Sequence, residues 1–328
     1  MKSMNWIKNN GENKTMNSLK YYEKTNFINE YIEYLNKPNR ECPYEDIDTV
    51  RYKDVVFYND LAKFLEKMLG LGFKGPDKSD YPFAIKFQDN QDVMYLTSDQ
   101  FGFSVPYSDI SKKHKKSKAW NGEKSYPYAR YLSVRCDDDK GADDSEQRRF
   151  VASCIYGTRT IGGSFIWPKV KIGRDYKSIY NMHRGVGGYI EDRVDITLHE
   201  INCFYDVYSE KKINYKSFEE EYKEKYPNNI LFIRQCEDEK KAIYRWLSIF
   251  ETFEGYVEKL KFADFVIKKE DKYLIRDMAN EDTSTALDIT KIKKIRDMDH
   301  DKELYILLKN VKESTELRSK AIEEVLNN

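Results

Sequence analysis

The chain has 328 residues, 40% of them hydrophobic and 34% charged, which excludes a disordered chain and allows a core that needs neither metal nor disulfide. Lysine plus arginine equals aspartate plus glutamate at 56 each, so the global positive field of a protein that binds duplex DNA through its phosphates is absent. Five scattered cysteines without a C-x-x-C pair read as reduced thiols. No stretch approaches the ~18 apolar residues of a membrane span or a signal-peptide core, so the expected location is the cytoplasm, with no membrane partner.

Leu19, Tyr22, Phe27, Tyr31, Ile32 and Leu35 recur at helical spacing between Asn13 and Asn36, ahead of the stop "NKPN". A second helix is expected over Tyr58 to Leu69, where Leu61, Phe64, Leu65 and Met68 share a face before "GLGFKGP" breaks it. "FAIKFQDNQDVMYLTSD" alternates apolar and polar on both sides of Asp89 to Asp92, the pattern of a β-hairpin. The blocks "SKKHKKSK" and "CDDDKGADDSE" read as solvated loops of opposite charge.

Asp143 and Glu146 stand three apart, as in a capping box, and predict a helix from there to about Tyr156. Thr160 to Trp167 reads as a buried strand ended by Pro168. Beyond residue 188, helical periodicity covers Tyr189 to Tyr208, Gln235 to Val266 and Asp301 to Val325, with one short strand at "KYLIRDM". The expected fold is α+β and helix-rich, a small mixed or antiparallel sheet packed by long C-terminal helices. Residues 1–140 would hold N-terminal helices and the hairpin, and 141–328 the helix-rich part, as two regions or one continuous domain.

Chemistry concentrates in "NMHRGVGGYIEDRVD", residues 181–195. On a helix from Tyr189, the ~100° turn per residue puts Ile190, Val194, Leu198, Ile201 and Tyr205 on one stripe. Arg193 falls beside Thr197 and Phe204, on the buried side, and needs an anion, either an internal carboxylate or a ligand. Gly185, Gly187 and Gly188 precede the helix, and a glycine-rich turn into a helix start can present N–H groups to phosphate or carboxylate. The plainer reading is a tight turn, with Glu191 and Asp192 favouring the first helical turn.

With Arg159, Asn181, Arg184 and Arg193 as ligand-binding groups and Asp192 and Asp195 as candidate bases, the cluster suits a phosphorylated substrate, a nucleotide or nucleic acid. The alternative is a non-catalytic protein-interaction module, with a protein partner or a second copy of the chain, whose Arg/Asp cluster is an internal network. A third reading, single-stranded nucleic-acid binding, draws on the lysine run and the 26 tyrosines. Asp195 and His199 share a helical face but lack a third metal ligand. Tyr156-Gly157-Thr158-Arg159 differs from the His-Gly-Thr of some ADP-ribosyltransferases in its tyrosine, and no motif names a cofactor.

"RTIGGSFIWP", "NMHRG", "IEDRVDITLHEI" and "FETFEGYVEKLKFADFV" together resemble a bacterial family known as a domain of unknown function. Its pattern is T-I-G-G, N-x-x-R-G, D-R-x-D-[LI]-T-L and F-x-G-Y-V. The resemblance covers roughly residues 150–268 and implies no activity. By position it singles out Thr160, Ile161, Gly162, Gly163, Pro168, Asn181, Arg184, Gly185, Asp192, Arg193, Asp195, Thr197 and Leu198. Gly187, Gly188 and His199 fall outside the pattern, which weakens the phosphate-loop and metal readings. Stand-alone bacterial proteins of this size are often toxins or phage-defence effectors.

Overall fold

Alternating apolar side chains build the sheet around which the other elements assemble. The computed structural model describes residues 28–29, 55–76, 84–88, 93–101, 104–106, 125–127, 145–158, 160–172, 175–178, 193–211, 214–229, 232, 235–270, 272–293, 298 and 300–328. Helix α1 (Val55–Leu69) leads into β1 (Phe73–Lys74), β2 (Ile85–Gln88) and β3 (Val93–Gln100). The hairpin pairs as the alternation predicts, with Gln88 opposite Val93 and Ile85 opposite Leu96. Phe73 stacks on Phe87 at 5.0 Å, and Tyr58 of α1 reaches Thr97 of β3 at 3.1 Å. Next come the paired strands β4 (Ser104–Pro106) and β5 (Ser125–Pro127), and helix α2 (Ser145–Thr158). Most of the helix expected over 13–36, the block "SKKHKKSK" and Asp143 lie outside the described residues, as does the block "CDDDKGADDSE" up to its last two residues, Ser145 and Glu146, which open α2 rather than a loop.

The expected strand over Thr160 to Trp167 is corrected in two ways. A 3-10 turn occupies Ile161–Gly163 first, and strand β6 then runs over Ser164–Ile172, carrying Pro168 inside it. Pro168 pairs with Leu96 of β3, while β7 (Asp175–Ser178) pairs only from Lys169 onward. Among the described residues, proline therefore stands where β6 has a partner on one side alone, an edge-like position that tolerates a missing N–H. The sheet order is β1-β2-β3-β6-β7, antiparallel throughout, and it draws strands from both sides of position 140.

Helix α3 (Val194–Lys211) buries Val194, Leu198, Ile201 and Tyr205, the stripe read from the sequence. Helix α4 (Tyr215–Lys225) follows, capped by Asn214, whose side chain accepts from the Ser217 N–H at 3.2 Å. The single helix expected over Gln235 to Val266 is instead α5 (Glu237–Ser248), α6 (Phe253–Lys259) and strand β8 (Val266–Lys269). The backbone turns left-handed at Glu251 (φ 64°) and Lys261 (φ 60°), a conformation a helix cannot continue through. Thr252 restarts the chain by capping α6, its hydroxyl accepting from the Gly255 N–H at 2.9 Å. Strand β9 (Lys272–Ile275) pairs with β8, and helix α7 (Tyr305–Asn327) packs on α1, α2 and the Ile161–Gly163 turn. The result is an α+β, helix-rich fold.

Phe101, Phe165, Phe262 and Phe265 meet near one end of β6, with Phe101 and Phe165 rings 4.9 Å apart and Phe165 stacked on Phe262 at 5.3 Å. Arg318 of α7 is buried beside them, 1% exposed, its guanidinium 3.8 Å above the Phe262 ring. It donates to the carbonyls of Gly162 (2.8 Å), Ser164 (2.7 Å) and Leu260 (2.9 Å). Burial pulls its pKa down to about 9, so it is still charged at neutral pH. Among the described residues no helix is long and apolar enough to cross a membrane.

Candidate functional site

The T-I-G-G stretch is a docking point for α7. Thr160 closes the end of α2 by donating to the Gly157 carbonyl at 2.7 Å, and it accepts from the Ser319 hydroxyl at 2.8 Å. The Gly162 N–H donates to Ser319 Oγ at 3.2 Å. A Cβ on Gly162 would lie 2.5 Å from the Ser319 nitrogen and 2.6 Å from the Thr315 carbonyl oxygen. Glycine is thus required by the closeness of the helix, since backbone cannot yield as a side-chain tip can.

Arg193 and Asp195 open α3. Thr197 holds the first turn, its N–H and hydroxyl both donating to the Arg193 carbonyl. Arg193 is 3% exposed and grips Asp195 through two bonds, Nε to Oδ1 at 3.0 Å and Nη2 to Oδ2 at 2.5 Å. This bidentate pairing is the strong geometry of a guanidinium with a carboxylate. Nη2 also donates to Asp277 Oδ1 at 3.2 Å. Burial works against the charge of Arg193, but Asp195 and then Asp277 outweigh it and hold its pKa above the ordinary value.

Asp195 is wholly buried and accepts further from the N–H groups of Ile196 (3.0 Å) and Met278 (3.1 Å). Asp277 accepts from the Ala279 N–H at 3.0 Å. Asn310 of α7 then ties down the same loop, donating to the carbonyls of Met278 (3.0 Å) and Asn280 (2.9 Å). Arg193 and Asp195 therefore bolt α3 to the loop after β9, and through it to α7. The other residues singled out beforehand, Arg159, Asn181, Arg184 and Asp192, lie outside the described residues, as do Gly185, Gly187 and Gly188.

One turn further along α3 the chemistry changes. His199 Nε2 and Cys203 Sγ are 3.6 Å apart on successive turns of α3. Tyr226 at the end of α4 donates to Asp206, and Lys225 pairs with Asp206 at 2.7 Å. Burial, then Glu200 and Asp206, push the Cys203 thiol up to about 12, so it is not an activated nucleophile. His199 is pulled below its ordinary value by burial, against an opposing push from Glu200. The sequence reading linked His199 to Asp195; the fold commits Asp195 to Arg193 and leaves Cys203 as the neighbour of His199. That i, i+4 spacing was readable beforehand. Asp277, Asn310, Arg318 and Ser319 had no such local signal.

A model of a family of unknown function, DUF6994, matches residues 138–223. The match supports a domain of unknown function over that stretch. No curated protein and no solved structure matches the chain. The matched segment ends at 223, yet its Thr160, Gly162 and Asp195 also bond Ser319 and Met278, well beyond it.

Proposed function

We propose that this chain is a cytoplasmic, non-catalytic protein-interaction module in which the Arg193/Asp195 cluster is a structural network. One observation carries the reading: Arg193, the one of the three candidate arginines among the described residues, is buried and already neutralised by Asp195 and Asp277. Arg193→Ala and Asp195→Ala should lower Tm by roughly 5–10 °C and leave the affinity for a protein partner or a second copy unchanged in molecules that remain folded. Pull-down and sedimentation at a temperature below both melting points test this. Partner binding lost from a folded Arg193→Ala variant would count against it.

A second reading is an enzyme or effector, of the toxin or phage-defence type, acting on a nucleotide or nucleic acid through Arg159, Asn181, Arg184 and Asp192. It is favoured by the anchoring of the neighbouring residues. Arg159 precedes Thr160 and Asp192 precedes Arg193; Thr160 is tied to α7 directly, and Arg193 through Asp195, Met278 and Asn310. Wild type and Arg184→Ala expressed in bacteria separate the two. Growth arrest or phage protection that disappears in a folded Arg184→Ala protein supports the second reading and overturns the first.

A further inference from the structure

We propose that His199 and Cys203 form a binding site for a soft divalent cation of the zinc type, with water completing the coordination. The inference stands apart from either reading above. A tetrahedral ion with sulfur at about 2.3 Å and imidazole nitrogen at about 2.0–2.1 Å holds those two atoms roughly 3.6 Å apart. His199 Nε2 and Cys203 Sγ are at 3.6 Å, on successive turns of α3, so neither side chain has to leave its place to share one ion.

The surroundings favour a cation. Glu200 and Asp206 both act on Cys203 by their charge, while Lys225 is engaged by Asp206. From α4, Tyr222 is fully buried, and its hydroxyl has no hydrogen-bond partner among the described residues. Burial first, and then the charges of Cys203, Glu200 and Tyr226, act on that hydroxyl, so it lies within electrostatic range of the thiol. A buried hydroxyl without a partner is destabilising, and a water bound to the ion would satisfy it. His199 is only partly buried, which leaves an approach from solvent.

Binding breaks the Cys203 S–H bond: the proton leaves to solvent, the sulfur lone pair forms the bond to the metal, and no electron changes hands. Among the described residues no three His, Cys, Asp or Glu side chains converge on one point. The protein therefore supplies two ligands, and the site is exchangeable, unlike a closed four-ligand staple.

The test uses the full-length chain, reduced and stripped of metal, titrated with Co²⁺ alone and then with Zn²⁺. The expected result is one thiolate-to-cobalt charge-transfer band in the near ultraviolet, at one ion per chain, bleached by Zn²⁺ and absent from Cys203→Ser. His199→Gln, at a partly exposed position, keeps the fold and should weaken Co²⁺ by roughly tenfold or more, since loss of even an outer partner of a metal ligand has that effect. No band in the wild type overturns the proposal, as does a full band in Cys203→Ser, which would place the ion on other cysteines, or equal affinity in His199→Gln, which would exclude the imidazole as a ligand.

Discussion

Two neighbouring turns of α3 carry side chains of comparable reactivity and meet opposite fates. At the helix start, Arg193 and Asp195 answer each other's charge, and every further bond they make reaches protein atoms of Ile196, Asp277 or Met278. One turn on, His199 and Cys203 bond each other, with the charges of Glu200 and Asp206 acting on the thiol and the buried hydroxyl of Tyr222 left over among the described residues. Charged residues in a motif thus indicate a ligand only where the fold leaves them unanswered. In this molecule the charged pair is the closed one, and the less polar pair is open.

The comparison breaks first at Arg193. Arg193→Ala strands the Asp195 carboxylate in the core and should cost about 3–5 kcal/mol, read as a shift of the denaturant midpoint. A loss under about 1 kcal/mol would mean that the network is not closed. Gly162→Ala tests the other anchor onto α7 and should cost about 1–3 kcal/mol, because the added methyl meets the backbone of Ser319 and Thr315. An unchanged melting temperature would show that α7 does not dock there.

Alkaline titration sharpens the contrast. The folded pKa values of Cys154, Cys203, Tyr205 and Tyr222 are all raised by burial. The folded state then holds protons that the unfolded state has released, so stability is complete below about pH 9 and falls as pH rises from there. Each such group contributes a slope of about 1.4 kcal/mol per pH unit. Arg318 has the opposite sign: its folded pKa is depressed to about 9, so from that pH up to its higher ordinary value it recovers one group's worth of slope. The net expectation is a declining limb above pH 9 in unfolding curves, and a flat or rising limb would contradict the burial of these groups. Arg193, held above its ordinary value, is silent in this window. The smallest effect is expected at His199: His199→Gln should change stability by no more than about 0.5 kcal/mol in the absence of metal. A larger loss would make the pair structural like its neighbour.

Much of the architecture was legible before any coordinates. The hairpin around residues 89–92, the helices ending at Leu69 and starting near Glu146, and the apolar stripe of α3 follow from periodicities of two and 3.6, which need only neighbouring residues. The break between α5 and α6 was not legible, because it depends on a left-handed Glu251 that no local preference announces. Pro168 misled for a related reason: whether a strand tolerates proline depends on which side its neighbour occupies, and β7 joins only at Lys169.

For the site, the amino-acid order by itself determined which residues could bear charge and which helical face each would take, including the burial of Arg193. Tertiary structure alone decided who answers whom. Asp277, Asn310, Arg318 and Ser319 lie far along the chain from the motifs they complete. Electrostatic and hydrogen-bond saturation is a property of atoms within a few ångströms in space, and sequence distance carries almost none of it.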